Sequence, residues 1–132
     1  MPNREALTRL QKIKAFLLDI LEHASDAIEE ARHHSPESLE NDSRTRKVIL
    51  FDIFVVAEAV KMLVGRDKEK KQLGFDFRPR HRDVRWKNVV GFRDRNIHTY
   101  WETDTELLWS FLEELPKVVD AVSEELNILE ET

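Results

Sequence analysis

Apolar residues recur every three to four positions along most of this 132-residue chain, which is the period of an amphipathic α-helix. The first such run predicts a helix from about Arg4 to His33. Its apolar positions, which share one face at that period, are Leu7, Leu10, Ile13, Leu17, Leu21, Ala24, Ile28 and Ala31. The pattern therefore predicts a long first helix with one buried side.

A second helix is predicted to begin at Ser35-Pro36-Glu37, where a capping hydroxyl, a proline and an acidic residue follow one another. We expect it to run to about Val64 and to end at Gly65. Its apolar residues form two stripes, one of Leu50, Ile53, Ala57, Val60 and Val64 and the other of Phe51, Val55 and Met62. The second stripe fits either a broad core contact or a second subunit.

The third helix follows a charged connection over residues 65–83, and Asp83 is placed to cap it. Its apolar positions are spaced as in a coiled coil and are Trp86, Val90, Ile97 and Tyr100. These positions predict that one side of the third helix packs against the other helices.

A capping box, Thr103-x-x-Glu106, predicts the start of a fourth helix. Pro116 should kink that helix or split it after Leu115. Its apolar positions are Leu108, Leu112, Leu115, Val119, Val122, Leu126 and Leu129. Together the segments predict an all-α, antiparallel bundle of four to five helices, as a single domain over residues 1–132.

Composition narrows the class of protein further. The chain has 41% hydrophobic and 36% charged residues with only 3 glycines and 4 prolines, which suits amphipathic helices. It has no cysteine, so disulfides and thiolate metal sites are excluded. No run approaches the ~20 apolar residues of a membrane helix, and no apolar leader is evident. We therefore expect a cytoplasmic protein without a membrane segment.

The net charge of −5 hides a basic stretch between residues 78 and 95, where seven cations and two acids leave a local charge of +5. A solvated helix face is one explanation of such a run. Contact with a polyanion such as RNA is the other, favoured because the stretch leads into an arginine–histidine motif. The candidate RNA-binding residues are Arg78, Arg80, Arg82, Arg85, Lys87 and Arg95.

That motif places Arg93, Asp94, His98 and Tyr100 within eight residues. Arginine keeps its charge and fits a phosphate, while histidine exchanges a proton near neutral pH. Asp94 precedes His98 by four residues, close enough on a helix to fix the tautomer of the imidazole. Arg93 also falls in the apolar register of the third helix, so a structural ion pair with Glu58 of the second helix is the alternative.

Other chemistries have no matching pattern. Glu30-x-x-His33 has the spacing of a di-iron ligand pair, but the second pair that such a site needs is missing. His-Glu-x-x-His, a glycine-rich phosphate loop and a nucleophile elbow are missing too. The sequence therefore predicts no metal site and no cofactor.

Three sequence features together resemble the HepT-like branch of the HEPN ribonucleases. The block Trp86-Lys-Asn-Val-Val-Gly-Phe-Arg-Asp-Arg-Asn-Ile-His-Thr-Tyr-Trp is similar to the family's W-x-x-I-x-G-x-R-N-x-x-x-H-x-Y-[FW] pattern. Ala57-Glu58-Ala59 stands where the family often has Gly-Glu-Ala, and Leu115-Pro116 resembles its recurring proline. This chain departs from the pattern at Asp94, where asparagine is commonest, and at Ala57, where glycine is expected.

The resemblance implies a homodimer that cleaves RNA at its interface without a metal. Arg93 would hold the scissile phosphate, His98 would be the general acid or base, and Asp94 would orient the site. The ribose 2′-OH would attack the adjacent phosphate and leave a 2′,3′-cyclic phosphate. Asp94 would add a negative charge beside that phosphate.

The resemblance also implies a partner, a minimal nucleotidyltransferase antitoxin that transfers AMP to Tyr100. The expected function is then an endoribonuclease toxin acting on tRNA or mRNA. Two alternatives stay open: a non-catalytic HEPN adaptor that binds nucleotide or substrate for a nucleotidyltransferase, and a dimerisation bundle in which Arg93 only pairs with Glu58.

Overall fold

The protein is a bundle of α-helices, as the apolar periodicity predicts. The computed structural model describes residues 7–96 and 104–131, with the side chains of residues 93–96 excepted. Within these ranges no strand occurs. The helices are α1 (Arg9–Ala31), α2 (Pro36–Glu40), α3 (Ser43–Val64), α4 (Trp86–Asn96) and α5 (Thr105–Glu130), with a 3₁₀ turn at Arg78–Arg80.

Helix α1 begins later than predicted, at Arg9 rather than Arg4, because Thr8 caps it. The Thr8 hydroxyl accepts the backbone N–H of Gln11, and the Gln11 side chain accepts the N–H of Thr8. This capping box satisfies two of the backbone donors that a helix start leaves free. The helix also ends earlier than predicted, at Ala31, and its buried face is Ile13, Leu17, Ile20, Ala24, Ala27 and Ala31.

The segment predicted as one second helix forms two helices, α2 and α3, so that prediction is wrong. Ser35 caps α2 and Pro36 occupies its first turn as expected, but α2 stops at Glu40. Asp42 then starts α3, since one carboxylate oxygen accepts the Thr45 N–H at 3.0 Å and the other accepts the Thr45 hydroxyl at 2.7 Å. These hydrogen bonds lower the pKa of Asp42, because they favour its charged form.

The two apolar stripes of α3 are buried to different extents. The first is confirmed as core: Leu50, Ile53, Ala57 and Val60 are at most 3% exposed. Phe51, on the second stripe, is 62% exposed. Helix α3 packs on α1 and α4, and α1 packs on α5. Val55 and Met62 of the second stripe are partly buried, so that stripe is only partly covered within one chain.

The connection between α3 and α4 is folded back onto the bundle. The N–H groups of Leu73 and Phe75 donate to the carbonyls of Met62 and Leu63 in the last turn of α3, at 2.9 and 2.6 Å. Gly74 has a φ of +62°, which glycine adopts without steric cost. Phe77 follows and is fully buried, so this charged segment is held by an apolar anchor.

The predicted caps of α4 and α5 are each displaced in the structure. The Arg85 carbonyl accepts the N–H groups of Asn88 and Val89, so Arg85, and not Asp83 as predicted, is the residue that precedes α4. Asp104 caps α5 by accepting the Glu106 N–H at 2.8 Å, whereas Thr103 lies outside the described residues.

Helix α5 continues through Pro116 from Thr105 to Glu130. A split after Leu115 is therefore wrong. Leu115 and Val118, on either side of Pro116, are both fully buried, and their packing offsets the hydrogen bond that proline cannot make.

Candidate functional site

The start of α4, where the Arg/His block begins, is anchored by buried aromatic contacts. Trp86 is 7% exposed, meets the Phe77 ring edge-to-face at 5.1 Å between centroids, and donates its indole N–H to the His81 carbonyl at 2.9 Å. Nearly two turns later Phe92 is 1% exposed and packs on Phe111 at 4.9 Å between ring centroids. These contacts hold the backbone that carries Arg93 in a defined place.

The buried face of α4 differs from the predicted stripe. Trp86, Val89 and Phe92 are buried, while Val90 is only partly buried. The buried face is therefore rotated toward Val89 and Phe92.

An internal ion network fixes the segment before α4. Glu125 of α5 is 1% exposed and accepts a forked pair of hydrogen bonds from Arg80, at 3.1 and 2.5 Å. The His81 Nε2 lies 2.6 Å from the same carboxylate. Burial alone would raise the pKa of Glu125, but the hydrogen bonds from Arg80 and His81 outweigh it and bring that pKa below its ordinary value.

Arg80 therefore serves an internal role that its place in the basic stretch did not indicate. Its guanidinium is bound by Glu125, and it lies 5.8 Å above the Phe75 ring. The sequence did contain one signal for this pair, because Glu125 occurs three residues after Val122 in the apolar register of α5. A carboxylate in that register needs an internal cation.

The other predicted RNA-binding residues whose side chains the structure describes line one open groove of about 640 Å³. Arg78, Arg82, Arg85 and Lys87 line it, and Arg82, Arg85 and Lys87 are exposed. Arg78 is partly neutralised, since its guanidinium makes two hydrogen bonds to Asp76 at 2.8 and 2.9 Å. The remaining walls are Asp76, Pro79, Val84, Trp86 and Asn88. We call this surface the basic groove.

The predicted catalytic residues lie at the edge of the described chain. Arg93, Asp94 and Arg95 belong to the last turns of α4, but their side chains are outside the described part. His98 and Tyr100 fall wholly outside the described residues. Their roles stay predictions.

Glu58, the alternative partner of Arg93, is exposed on α3 and lines an apolar groove of about 330 Å³. The other lining residues are Phe16, Asp19, Phe51, Phe54, Val55 and Ala59. Phe51 and Val55, two members of the second stripe of α3, thus form part of this groove.

The fold and surface thus define an all-helical protein with a basic groove leading into an arginine-bearing helix. None of the helices in the described ranges is long and apolar enough to cross a membrane. The family model described as ribonuclease HepT-like matches residues 7–126, which is most of the chain. The chain belongs to the HepT-like ribonuclease family, and the resemblance seen in the Arg/His block is confirmed.

Named relatives agree with this assignment. The chain is 33% identical to the proposed RNase MJ1380 of Methanocaldococcus jannaschii, over 80% of this chain and 89% of that protein. It is 28% identical to the proposed RNase MJ0127 of the same organism, over 89% and 90%. It is also 28% identical to a protein of Thermococcus cleftensis named as a probable ribonuclease HepT, over 76% and 83%. No solved structure gives a significant match.

Proposed function

We propose that this protein is a metal-independent endoribonuclease toxin of a HepT-type toxin–antitoxin pair. The observation that carries the proposal is membership of the HepT-like ribonuclease family together with the Arg93-to-Tyr100 block in register with the family pattern. The basic groove at the start of the same helix supports it, because RNA binding needs cations that track a phosphate backbone.

In the proposed reaction Arg93 binds the non-bridging oxygens of the scissile phosphate and stabilises the charge that develops there. One His98 removes the proton of the ribose 2′-OH as that oxygen attacks phosphorus. The bond from phosphorus to the 5′ oxygen breaks, and a second His98 protonates the leaving oxygen. The products are a 2′,3′-cyclic phosphate and a 5′-hydroxyl. Proton transfer of this kind contributes ~10²–10⁴-fold.

A second copy of His98 requires a second chain, so the proposal includes a homodimer. Two exposed apolar side chains of α3 support this, because Phe51 is 62% and Val48 42% exposed, and Phe51 lines an apolar groove. An apolar surface of this kind is typical of a protein interface. Replacing Phe51 with glutamate should shift the chain to monomer in sedimentation and lower cleavage per chain. A dimer that persists unchanged would place the interface elsewhere.

Cleavage is tested with purified protein, a tRNA or mRNA substrate and excess EDTA. The wild type should yield cyclic-phosphate ends, and Arg93→Ala and His98→Ala should each lose most of that activity. Arg32→Ala and His33→Ala are matched controls, since both residues are exposed and belong to the end of α1 and the turn after it. Binding of RNA with no cleavage by the wild type would favour the adaptor alternative, and activity retained in both site variants would refute the site.

The basic groove is tested by salt dependence. Arg82→Gln, Arg85→Gln and Lys87→Gln should each weaken RNA binding and reduce the slope of log K against log salt by about 0.7–0.9 per lost phosphate contact. Arg32→Gln should change neither. Arg80→Gln should act mainly through stability, because Arg80 is held by Glu125. Slopes equal to that of the wild type in all three groove variants would exclude the groove as the RNA path.

The proposed nuclease is inhibited when AMP is transferred to Tyr100, which is the sole tyrosine of the chain. A minimal nucleotidyltransferase supplied with labelled ATP should label the wild type and leave Tyr100→Phe unlabelled. The bulky charged ester beside Arg93 and His98 would block RNA. Because no other tyrosine exists, phosphodiesterase-sensitive label on Tyr100→Phe would mean a different acceptor and would overturn this part.

A further inference from the structure

A cluster of metal-ligating side chains lies between α1 and α3, on residues that the proposed nuclease site does not use. His23 and Asp26 are three residues apart and share one face of α1, and Asp52 reaches them from α3. The His23 Nδ1 and one Asp52 oxygen are 2.8 Å apart. One ligand atom from each of the three residues lies within 4.8 Å of the other two.

The cluster is buried on one side and open on the other. Asp52 is 5% exposed, His23 is partly buried, and Asp26 is exposed. The Phe51 ring meets the His23 ring edge-to-face at 6.0 Å between centroids. An ion bound between the two helices would therefore have protein ligands beneath it and water access from the Asp26 side.

The local charge is unbalanced toward negative. Burial raises the pKa of Asp52, and the charges of Asp26 and Glu30 raise it further, while the His23 hydrogen bond opposes them. Among the side chains that act on Asp52, two further carboxylates raise its pKa and one imidazole, that of His23, lowers it.

We propose that His23, Asp26 and Asp52 form a binding site for a divalent first-row transition-metal ion, with zinc as the representative. One imidazole nitrogen and two carboxylate oxygens suit Zn²⁺ and its neighbours, whereas Mg²⁺ and Ca²⁺ prefer oxygen ligands alone. Two ligands at about 2.0–2.1 Å from one tetrahedral ion lie roughly 3.3 Å apart. The observed 2.8 Å between Nδ1 and the Asp52 oxygen is shorter than that spacing by about 0.5 Å, a distance that side-chain rotation can supply when an ion replaces the shared proton.

Such an ion would tie α1 to α3 and would stabilise the bundle. It would take no part in cleavage, because its ligands are on α1 and on α3 while Arg93 and His98 belong to the block that starts at Trp86. The site and the nuclease proposal can therefore fail independently.

The test uses the full-length, untagged protein after treatment with chelator, titrated with Zn²⁺ by calorimetry. The wild type should bind one equivalent per chain, with a higher Tm in the presence of Zn²⁺ and a much weaker response to Mg²⁺. His23→Gln and Asp26→Asn should each weaken Zn²⁺ binding by at least about 10-fold, because even partners of metal ligands cost 10–100-fold. Asp26 is exposed, so Asp26→Asn should fold normally by circular dichroism.

Matched controls separate this site from chance binding. Glu22→Gln and His33→Gln, both exposed residues of the same region, should bind Zn²⁺ as the wild type does, and so should Arg93→Ala. X-ray absorption at the zinc edge should show only nitrogen and oxygen ligands, including imidazole. The proposal is overturned if Zn²⁺ shows no saturable single site, if Asp26→Asn and His23→Gln bind normally, or if His33→Gln alone loses binding.

Discussion

Glu125→Gln is the substitution whose effect the structure specifies in most detail. The amide keeps the size of the side chain but removes the charge that holds Arg80 and His81. Hydrogen bonds to a charged group contribute about 1.5–3 kcal/mol each. The Arg80 side chain is 52% exposed and can return to water in the variant, so it adds little to the expected loss of stability. The His81 side chain is 6% exposed and cannot do so. We expect a loss of about 2 kcal/mol in the free energy of unfolding at neutral pH.

The same variant should change the pH dependence of stability. Because the pKa of Glu125 is lowered in the folded state from its ordinary value of 4.5, its ionised form stabilises the fold above that value. The contribution is lost as pH falls through the folded pKa. The difference between wild type and Glu125→Gln should therefore be full at neutral pH and should shrink at acidic pH, in the range below the ordinary pKa.

Urea unfolding followed by circular dichroism, at neutral pH and at about pH 3, measures both effects. Glu113→Gln is the matched control, since Glu113 is an exposed glutamate of the same helix. It should change stability by no more than about 0.5 kcal/mol at either pH. Equal stability of wild type and Glu125→Gln at neutral pH would refute the reasoning, and so would a difference that stays constant down to the acid range.

Four further substitutions follow from the packing and hydrogen bonds. Phe92→Ala should cost about 3–5 kcal/mol in urea unfolding because Phe92 is 1% exposed, and Phe92→Leu should recover much of it. Thr8→Ala should cost about 1 kcal/mol through loss of the α1 cap, with Thr8→Ser near wild type. Trp86→Phe should cost at least about 1 kcal/mol, since it deletes the bond to the His81 carbonyl, and tryptophan fluorescence will report the change. Phe51→Ser should leave the unfolding of the single chain within about 0.5 kcal/mol, as Phe51 is 62% exposed; a larger loss in a monomeric sample would contradict its surface position.

For the candidate site, the sequence predicted the residues that a local motif or charge run marks, but not the contacts they make. The family block pointed to Arg93, Asp94, His98 and Tyr100, and family membership is confirmed, while their individual roles stay predictions. The basic stretch was visible as a charge run, but the sequence could not separate its members. The fold does so by placing Arg80 on Glu125 and Arg82 on an open groove.

Helix ends were the least predictable part of the fold. Asp42 breaks the expected second helix, and Arg85 takes the position expected of Asp83. At both places several residues could cap, and the packing of neighbouring helices selects one. At Pro116 packing instead preserves a helix: helix propensity alone would end α5 there, but its buried neighbours keep the helix continuous.

The helical class, the cap of α5 to within one residue and the first buried stripe of α3 follow from local pattern, because each depends on residues that recur at the period of a helix. The ion pairs depend instead on how the helices pack. Glu125 and Arg80 are 45 residues apart and His23 and Asp52 are 29 apart. No local period connects such residues; they meet because the apolar faces of α1, α3 and α5 can be buried together only when these helices pack side by side.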